Sequence, residues 1–362
     1  MNFALRALCI VVLVAACKPT KTEPPERGDE IEDESLPEPG PIEEAATLMA
    51  RGEPEKALSV VDGALVETPE DHELHYARGV ALQRLGRPEE AVASWRSALD
   101  RKPGFFPALN GIGAVELDRG NHAAAVAALR GAIQAKPDFP DAHYNLGLAL
   151  MHTGELDGSL AAFERAKELN VGDADIHEML ATLYLKRGDI TAARTAADVV
   201  RELRKDDVSA LRIDAKVLSA EGKHSEAAEA YKAIVAAIPE DAESRLLLAR
   251  ALVRSDRAGE ALPHLSRLAA DLPKEAVVWS DWGGALVKLG TIKGPEGALA
   301  RLDTALGLKP GLVSARLRRV AALSAIGRCK EAVTGHRELL EGTPAAKEQA
   351  DQALGKCAKR RK

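Results

Sequence analysis

Hydrophobic and polar positions divide the chain into four stretches. A short apolar run occupies Ala7 to Ala16, and a stretch nearly without large apolar side chains follows from Lys18 to Gly40. From Pro41 onward, small and apolar residues recur at fixed offsets. Between His72 and Phe105 the segment HYARGVALQRLGRPEEAVASWRSALDRKP reads as two helices joined at Gly86, with small residues at Gly79, Ala91 and Ala98 and a stop at Pro103. Steps of 34 residues return the same small residues. Last comes a polar helix from about Ala345 to Lys359, with Ala346, Ala350, Ala353 and Leu354 on one stripe, as suits a solvating cap.

The columns of this frame have physical reasons. Where the helices of a hairpin must approach closely, the first helix carries Ala45, Gly79, Gly113, Gly147, Ala181, Ala215, Ala249 and Gly283. The second carries Ala57, Ala91, Ala125, Ser159, Ala193, Ala227, Ala261, Ala298 and Ala332. Larger side chains there would push the axes apart. The turn needs a left-handed residue, supplied by Gly52, Gly86, Gly120, Gly154, Gly188, Gly222, Gly290 and Gly327, with Asp256 the one substitute. Second helices stop at Pro69, Pro103, Pro137, Pro239, Pro273, Pro310 and Pro344, with Val171 and Lys205 in the two remaining places.

This combination resembles the tetratricopeptide repeat family. The resemblance implies an all-α fold, an α-solenoid of about nine helix-turn-helix repeats over residues 41–346, then a capping helix and basic tail over 347–362. Units begin near Glu38, His72, Phe106, Pro140, Ala174, Val208, Ala242, Ala276 and Val313, and TIKGPEG lengthens the turn between Gly290 and Ala298. Pro41 cuts the opening helix short, and the ninth unit departs with Arg319 and Val320.

Arg6 and the apolar run read as a secretory leader, too short to span a bilayer. Its end, Val14, Ala15, Ala16, Cys17, resembles the lipobox of bacterial lipoproteins, with Val14 in place of the usual Leu. That resemblance implies removal of residues 1–16 and a diacylglyceryl group, with palmitate among its acyl chains, on Cys17. Lys18 in place of Asp implies the outer membrane rather than retention at the inner one. Ordinary secretory cleavage with an incidental Cys is the alternative. Residues 17–40 then form a lipidated, acidic, Pro-rich tether with too little apolar surface to fold. Lipidation would leave Cys329 and Cys357 in the mature fold. In an oxidising envelope they suggest a disulfide pinning the cap to the last hairpin, with two free thiols as the alternative.

Composition narrows the functions. The 49 Lys and Arg against 55 Asp and Glu leave a net charge of −6, without the basic footprint that a phosphate backbone requires, so no nucleic acid partner is expected. No Gly-rich phosphate loop, nucleophile elbow, paired-Cys zinc motif or His-Glu-x-x-His pattern occurs, so no enzyme, cofactor or small-molecule substrate is expected. His75, His143 and His177 share one frame position, but one unit's spacing separates them too widely for a common metal, and that position ordinarily packs between helices.

In the family this chain resembles, the second, fifth, ninth and twelfth positions of first helices face a bound partner. Carried over, these are Tyr76, Val80 and Gln83, then Asn110 and Leu117, then Tyr144, Leu148 and Met151. Farther along come Asp175 and Glu178, then Arg212, Lys216 and Arg250. The same residues could instead pack on neighbouring hairpins. The chaperone-tail clamp of some family members is not reproduced: Asn145 matches one place, but Asn110 and Ala114 on one side and Asp175 and Met179 on the other do not. The resemblance implies a lipid-anchored, non-catalytic scaffold that binds protein partners in assembly of a bacterial envelope complex (pilus, secretion, outer-membrane or wall machinery). An adaptor or regulator of an envelope-polymer synthesis enzyme is the alternative.

Overall fold

The computed structural model describes residues 39–205 and 207–360. The expected leader, Cys17 and nearly all of the expected tether lie outside them. In chain order the helices are α1 (Pro41–Ala50) and α2 (Pro54–Glu67), α3 (His72–Arg84) and α4 (Pro88–Arg101), α5 (Phe106–Asp118) and α6 (His122–Ala135), and α7 (Pro140–Thr153) and α8 (Leu156–Leu169). Next are α9 (Ala174–Arg187) and α10 (Ile190–Leu203), α11 (Val208–Ala220) and α12 (His224–Ala237), and α13 (Ala242–Arg254) and α14 (Ala258–Asp271). The last pairs are α15 (Ala276–Lys288) with α16 (Ala298–Leu308) and α17 (Val313–Ala325) with α18 (Cys329–Gly342), followed by α19 (Lys347–Leu354). No strand occurs among the described residues, and the fold is an all-α solenoid of nine helix pairs. From the second pair to the ninth, each first helix starts at the residue that the repeat frame names.

Two compact units divide the chain, with the boundary inside α9 between Leu180 and Ala181. Each builds its core from contacts between consecutive hairpins. In the first unit, Val80, Leu82, Val92 and Trp95 pack with Ala108 and Val115, and Leu129 packs with Val126, Ala149 and Leu150. In the second unit, Tyr231, Ile234, Leu248 and Leu265 pack together in one cluster.

Small residues set the helix spacing because each faces a large side chain within its own hairpin. A β-carbon on Gly113 would lie 2.6 Å from Leu129 Cγ, one on Gly147 2.8 Å from Phe163, and one on Gly283 2.5 Å from Leu302 Cγ. The turns obey the same frame: Gly86, Gly120 and Gly154 have φ of 70°, 75° and 85°, and Asp256 adopts 60°. Lys288 Nζ bonds the Asp256 carboxylate at 2.7 Å and so adds a cross-repeat tie at that turn. First helices are capped where Asp precedes them: Asp71 accepts from the Glu73 and Leu74 amides, and Asp241 from the Ser244 amide.

The lengthened turn before α16 holds a buried Ile292. Gly297 has no space for a side chain, because its β-carbon would fall on the Ile292 and Lys293 carbonyl oxygens. Arg301 pairs with Glu296 of this turn and lies 4.1 Å over the Trp282 ring.

The expected final helix over about 345–359 is instead broken. A 3-10 turn at Pro344–Ala346 leads into α19, and a second 3-10 turn runs over Gly355–Arg360. The break falls at Gly355, whose φ of 46° no right-handed helix accommodates. α19 begins 34 residues after Val313, so it occupies the place of a tenth first helix cut short after two turns. The expected stripe lies inward: Ala346, Ala350 and Leu354 are buried. In the structure Cys329 and Cys357 are joined, with their α-carbons 5.1 Å apart. Lys356 Nζ donates to the Ala325 carbonyl at 2.8 Å and the Ser324 hydroxyl to that of Leu354.

Candidate partner-binding face

Several successive first helices touch within each unit, α1 with α3, α3 with α5 and α5 with α7, then α13 with α15 and α15 with α17, whereas the second helices flanking them stand farther apart. First helices therefore line the tighter side of each unit, and the residues singled out from the sequence lie on them.

In the first unit those residues divide by depth. Val80, Asn110, Tyr144 and Leu148 are buried. Tyr144 packs edge-on against Phe163 with ring centres 5.4 Å apart, and the Asn145 amide donates to the Asn110 side-chain oxygen at 3.0 Å. Val80, which packs with Ala108 and Val115, and Asn110 thus join neighbouring hairpins. Tyr76, Gln83, Leu117 and Met151 are only half-buried. Tyr76 stands edge-on to Phe105 at 5.6 Å, and burial together with the negative charge of Asp141 pushes its hydroxyl well above the ordinary tyrosine value. The Gln83 side-chain oxygen is buried without a hydrogen-bond partner. Glu178 and Asp175, at the start of α9, are half-buried.

In the second unit the cations are engaged by acids of the next repeat. Arg212 meets Asp241 at 2.7 Å, Lys216 meets Glu243 at 3.5 Å and Arg250 meets Asp281 at 2.6 Å. Asp281, only 5 % exposed, also takes Arg318 at 2.7 Å, so one carboxylate of α15 is held by guanidinium groups of α13 and α17. Sequence reasoning missed Asp241, Asp281 and Arg318. A signal was present, since setting each unit's inner cations beside the opening acids of the next unit would have paired them.

The histidines that share a frame position each hydrogen-bond a loop carbonyl. A carbonyl only accepts, so Nε2 carries the proton: His75 donates to Pro69 at 2.9 Å, His143 to Pro137 at 2.9 Å and His177 to Val171 at 3.0 Å. At the same frame position Trp279 donates to Pro273 at 2.9 Å and Arg316 to Pro310 at 2.7 Å, and Arg245 donates to Pro239. In these six repeats the position ties the first helix to the loop entering it. Among the described residues no three His, Cys, Asp or Glu side chains converge as a metal site, and no helix is long and apolar enough to cross a membrane.

No curated protein sequence matches the chain. Among solved structures, that of PilF from Pseudomonas aeruginosa is 21 % identical, covers 58 % of this chain and 96 % of its own, and has a TM-score of 0.54. PilW, described as a widely conserved type IV pilus biogenesis factor, is 22 % identical over 56 % of this chain and 94 % of its own, with a TM-score of 0.51. A tetratricopeptide repeat protein from Parabacteroides merdae is 14 % identical over 70 % of this chain and 98 % of its own, with a TM-score of 0.53. At these identities the likeness shows the fold alone. Family profiles described as tetratricopeptide repeat match residues 42–104, 110–174 and 178–242, more than half of the chain, and a further one matches 218–280. The chain belongs to the tetratricopeptide repeat family.

Proposed function

We propose that this protein is a lipid-anchored, non-catalytic scaffold of the bacterial outer membrane that binds protein partners through first-helix faces and serves in assembly of an envelope complex. The observation that carries the reading is the set of half-buried side chains Tyr76, Gln83, Leu117 and Met151 on the tighter side of the first unit, where an apolar partner segment would complete their burial. The envelope assignment is supported by the lipobox-like Val14–Cys17 and by the fold shared with PilF and the pilus biogenesis factor PilW.

Photo-crosslinkers at Gln83 and Met151, with Arg96 and Arg130 of the second helices as opposing controls, test the face in cells. Partners recovered from the first pair support the reading, and partners recovered only from Arg96 and Arg130 overturn it. Cys17→Ser is expected to release the chain from membranes, and unchanged retention would reject the lipid anchor.

A further inference from the structure

Positive charge is concentrated in the last hairpin and the cap. Residues 309–362 hold 13 Lys and Arg against five Asp and Glu, whereas the residues before them hold 36 against 50. Five of the 13 fall between Lys356 and Lys362, at Lys356, Lys359, Arg360, Arg361 and Lys362. The Cys329–Cys357 bridge sets the start of this run against the start of α18, with the two α-carbons 5.1 Å apart. Lys330 follows one bridged cysteine, Lys356 and Lys359 stand on either side of the other, and all three are exposed. Lys356 Nζ gives one N–H to the Ala325 carbonyl at 2.8 Å and keeps two for a ligand.

The five acids of this region leave that cluster positive. Glu331 is bonded to Arg328 at 2.6 Å, and Asp351 to Lys347 and His336. Glu338 and Glu341 lie nine and twelve residues beyond Cys329 on α18, about 13–18 Å along the axis and past the screening length of about 8 Å at physiological salt. Glu348 opens α19, about 10 Å along its axis from Gly355.

We infer that this bridged cap is a contact for an anionic lipid surface, whose phosphate headgroups gather at Lys330, Lys356 and Lys359. The inference goes beyond the partner-binding face and does not rest on it. Each Lys or Arg close to such a surface is worth roughly fivefold in affinity. The acidic remainder of the chain is repelled by the same surface, so attraction is confined to the cap. Headgroups diffuse singly and can collect at a patch a few residues across, whereas an extended polyanion would continue past it onto acidic protein.

Co-sedimentation with vesicles tests this, using phosphatidylcholine alone and phosphatidylcholine mixed equally with phosphatidylglycerol. The oxidised chain of residues 17–362 carries Cys17→Ser, so that no acyl chain of its own takes it to the bilayer. It should bind the phosphatidylglycerol vesicles and not the others, and less as salt rises. Lys330→Glu with Lys359→Glu should weaken binding at least tenfold. Arg96→Glu with Arg130→Glu, the same change in net charge on second helices of the first unit, should leave it within about twofold. All four positions are exposed, so neither pair opens the core. Cys329→Ser with Cys357→Ser should cost several-fold, and unchanged affinity would overturn the part given to the bridge. Equal losses from the two charge pairs would overturn the cap as the site. Binding that appears only after deletion of residues 18–38 would show that their acids cover the cap, and would overturn the inference, as would no binding at all. Duplex DNA bound as tightly at equal phosphate would overturn the choice of a lipid surface.

Discussion

A β-carbon on Gly79 would lie 2.5 Å from Cδ1 of Trp95 and closer still to its indole nitrogen, so the second hairpin closes only because residue 79 has no side chain. Trp95 is 1 % exposed and its Nε1 donates to the Tyr76 carbonyl at 3.2 Å, which leaves the ring no room to retreat. Gly79→Ala is therefore expected to destabilise the protein by about 1–3 kcal/mol through overpacking, despite alanine's better helix propensity. Urea unfolding checks this, and Trp95→Leu in the same chain should recover part of the loss. Additive losses from the two substitutions would refute the contact as the cause.

Much of this was legible in the chain. The column Gly79, Gly113, Gly147 and Gly283 demands close approach whatever it faces, so hairpin boundaries could be read before the large partners Trp95, Leu129, Phe163 and Leu302 were identified. The candidate face was legible only in part. Tyr76 and Tyr144 share a frame position, yet one is half-buried and the other 5 % exposed, because the packing partner of Tyr144 is Phe163, whose approach Gly147 admits. Frame position specifies direction, whereas depth depends on which large side chain the facing helix presents. Arg250 likewise reads as a free cation until Asp281, one repeat away, is placed beside it.

Asp281→Asn should weaken the second unit. The substitution keeps the shape and removes the charge that Arg250 and Arg318 share. Both guanidinium groups reach water, so the expected loss is about 1–3 kcal/mol rather than the larger cost of a fully buried unpaired charge. Arg318 also donates to the Ser280 hydroxyl at 2.7 Å, so Arg318→Ala in the Asp281→Asn background should cost less than in the parent. A double-mutant cycle with no coupling would rule out the shared carboxylate.

Acid should loosen the same unit. Hydrogen bonding from Arg194 holds the Glu221 carboxyl below its ordinary value of 4.5, against the opposing effect of burial, and Lys223 adds to the lowering. A carboxyl whose folded value lies below its unfolded one stabilises the fold above about pH 4.5, and that contribution fades as pH falls further. Between about pH 5.5 and about pH 3.5 the parent should lose more stability than Glu221→Gln. Parallel pH dependence of the two chains would remove Glu221 as a contributor.

The cap should depend on its sulfur bridge. Cys329 and Cys357 are 28 residues apart, and closing a loop of that length stabilises by about 3–4 kcal/mol in the chain-entropy account. Cys357→Ser should speed amide exchange over Lys347–Leu354 while exchange in α3 and α5 stays unchanged, since repeat stability passes between neighbours. His336 and Asp351, bonded at 2.7 Å, would then remain as a polar tie between α18 and α19. Unchanged exchange in the cap would mean that this contact and the apolar stripe suffice.

The shared donor position gives a repeat-by-repeat prediction. His143 donates to the Pro137 carbonyl, a loop group that no helix can satisfy, whereas Leu109 and Leu211 fill the same frame position without a polar hydrogen. His143 is 9 % exposed, so its removal leaves little room for water to reach that carbonyl. His143→Leu should therefore cost about 0.5–1.5 kcal/mol net of the apolar surface that it buries. His143→Gln, which keeps an N–H donor of similar reach, should cost less. The ordering of the two variants in thermal denaturation is the informative result: a glutamine variant less stable than the leucine variant would show that His143 acts by ring packing, and that the bond to Pro137 contributes nothing to holding α7 against its entering loop.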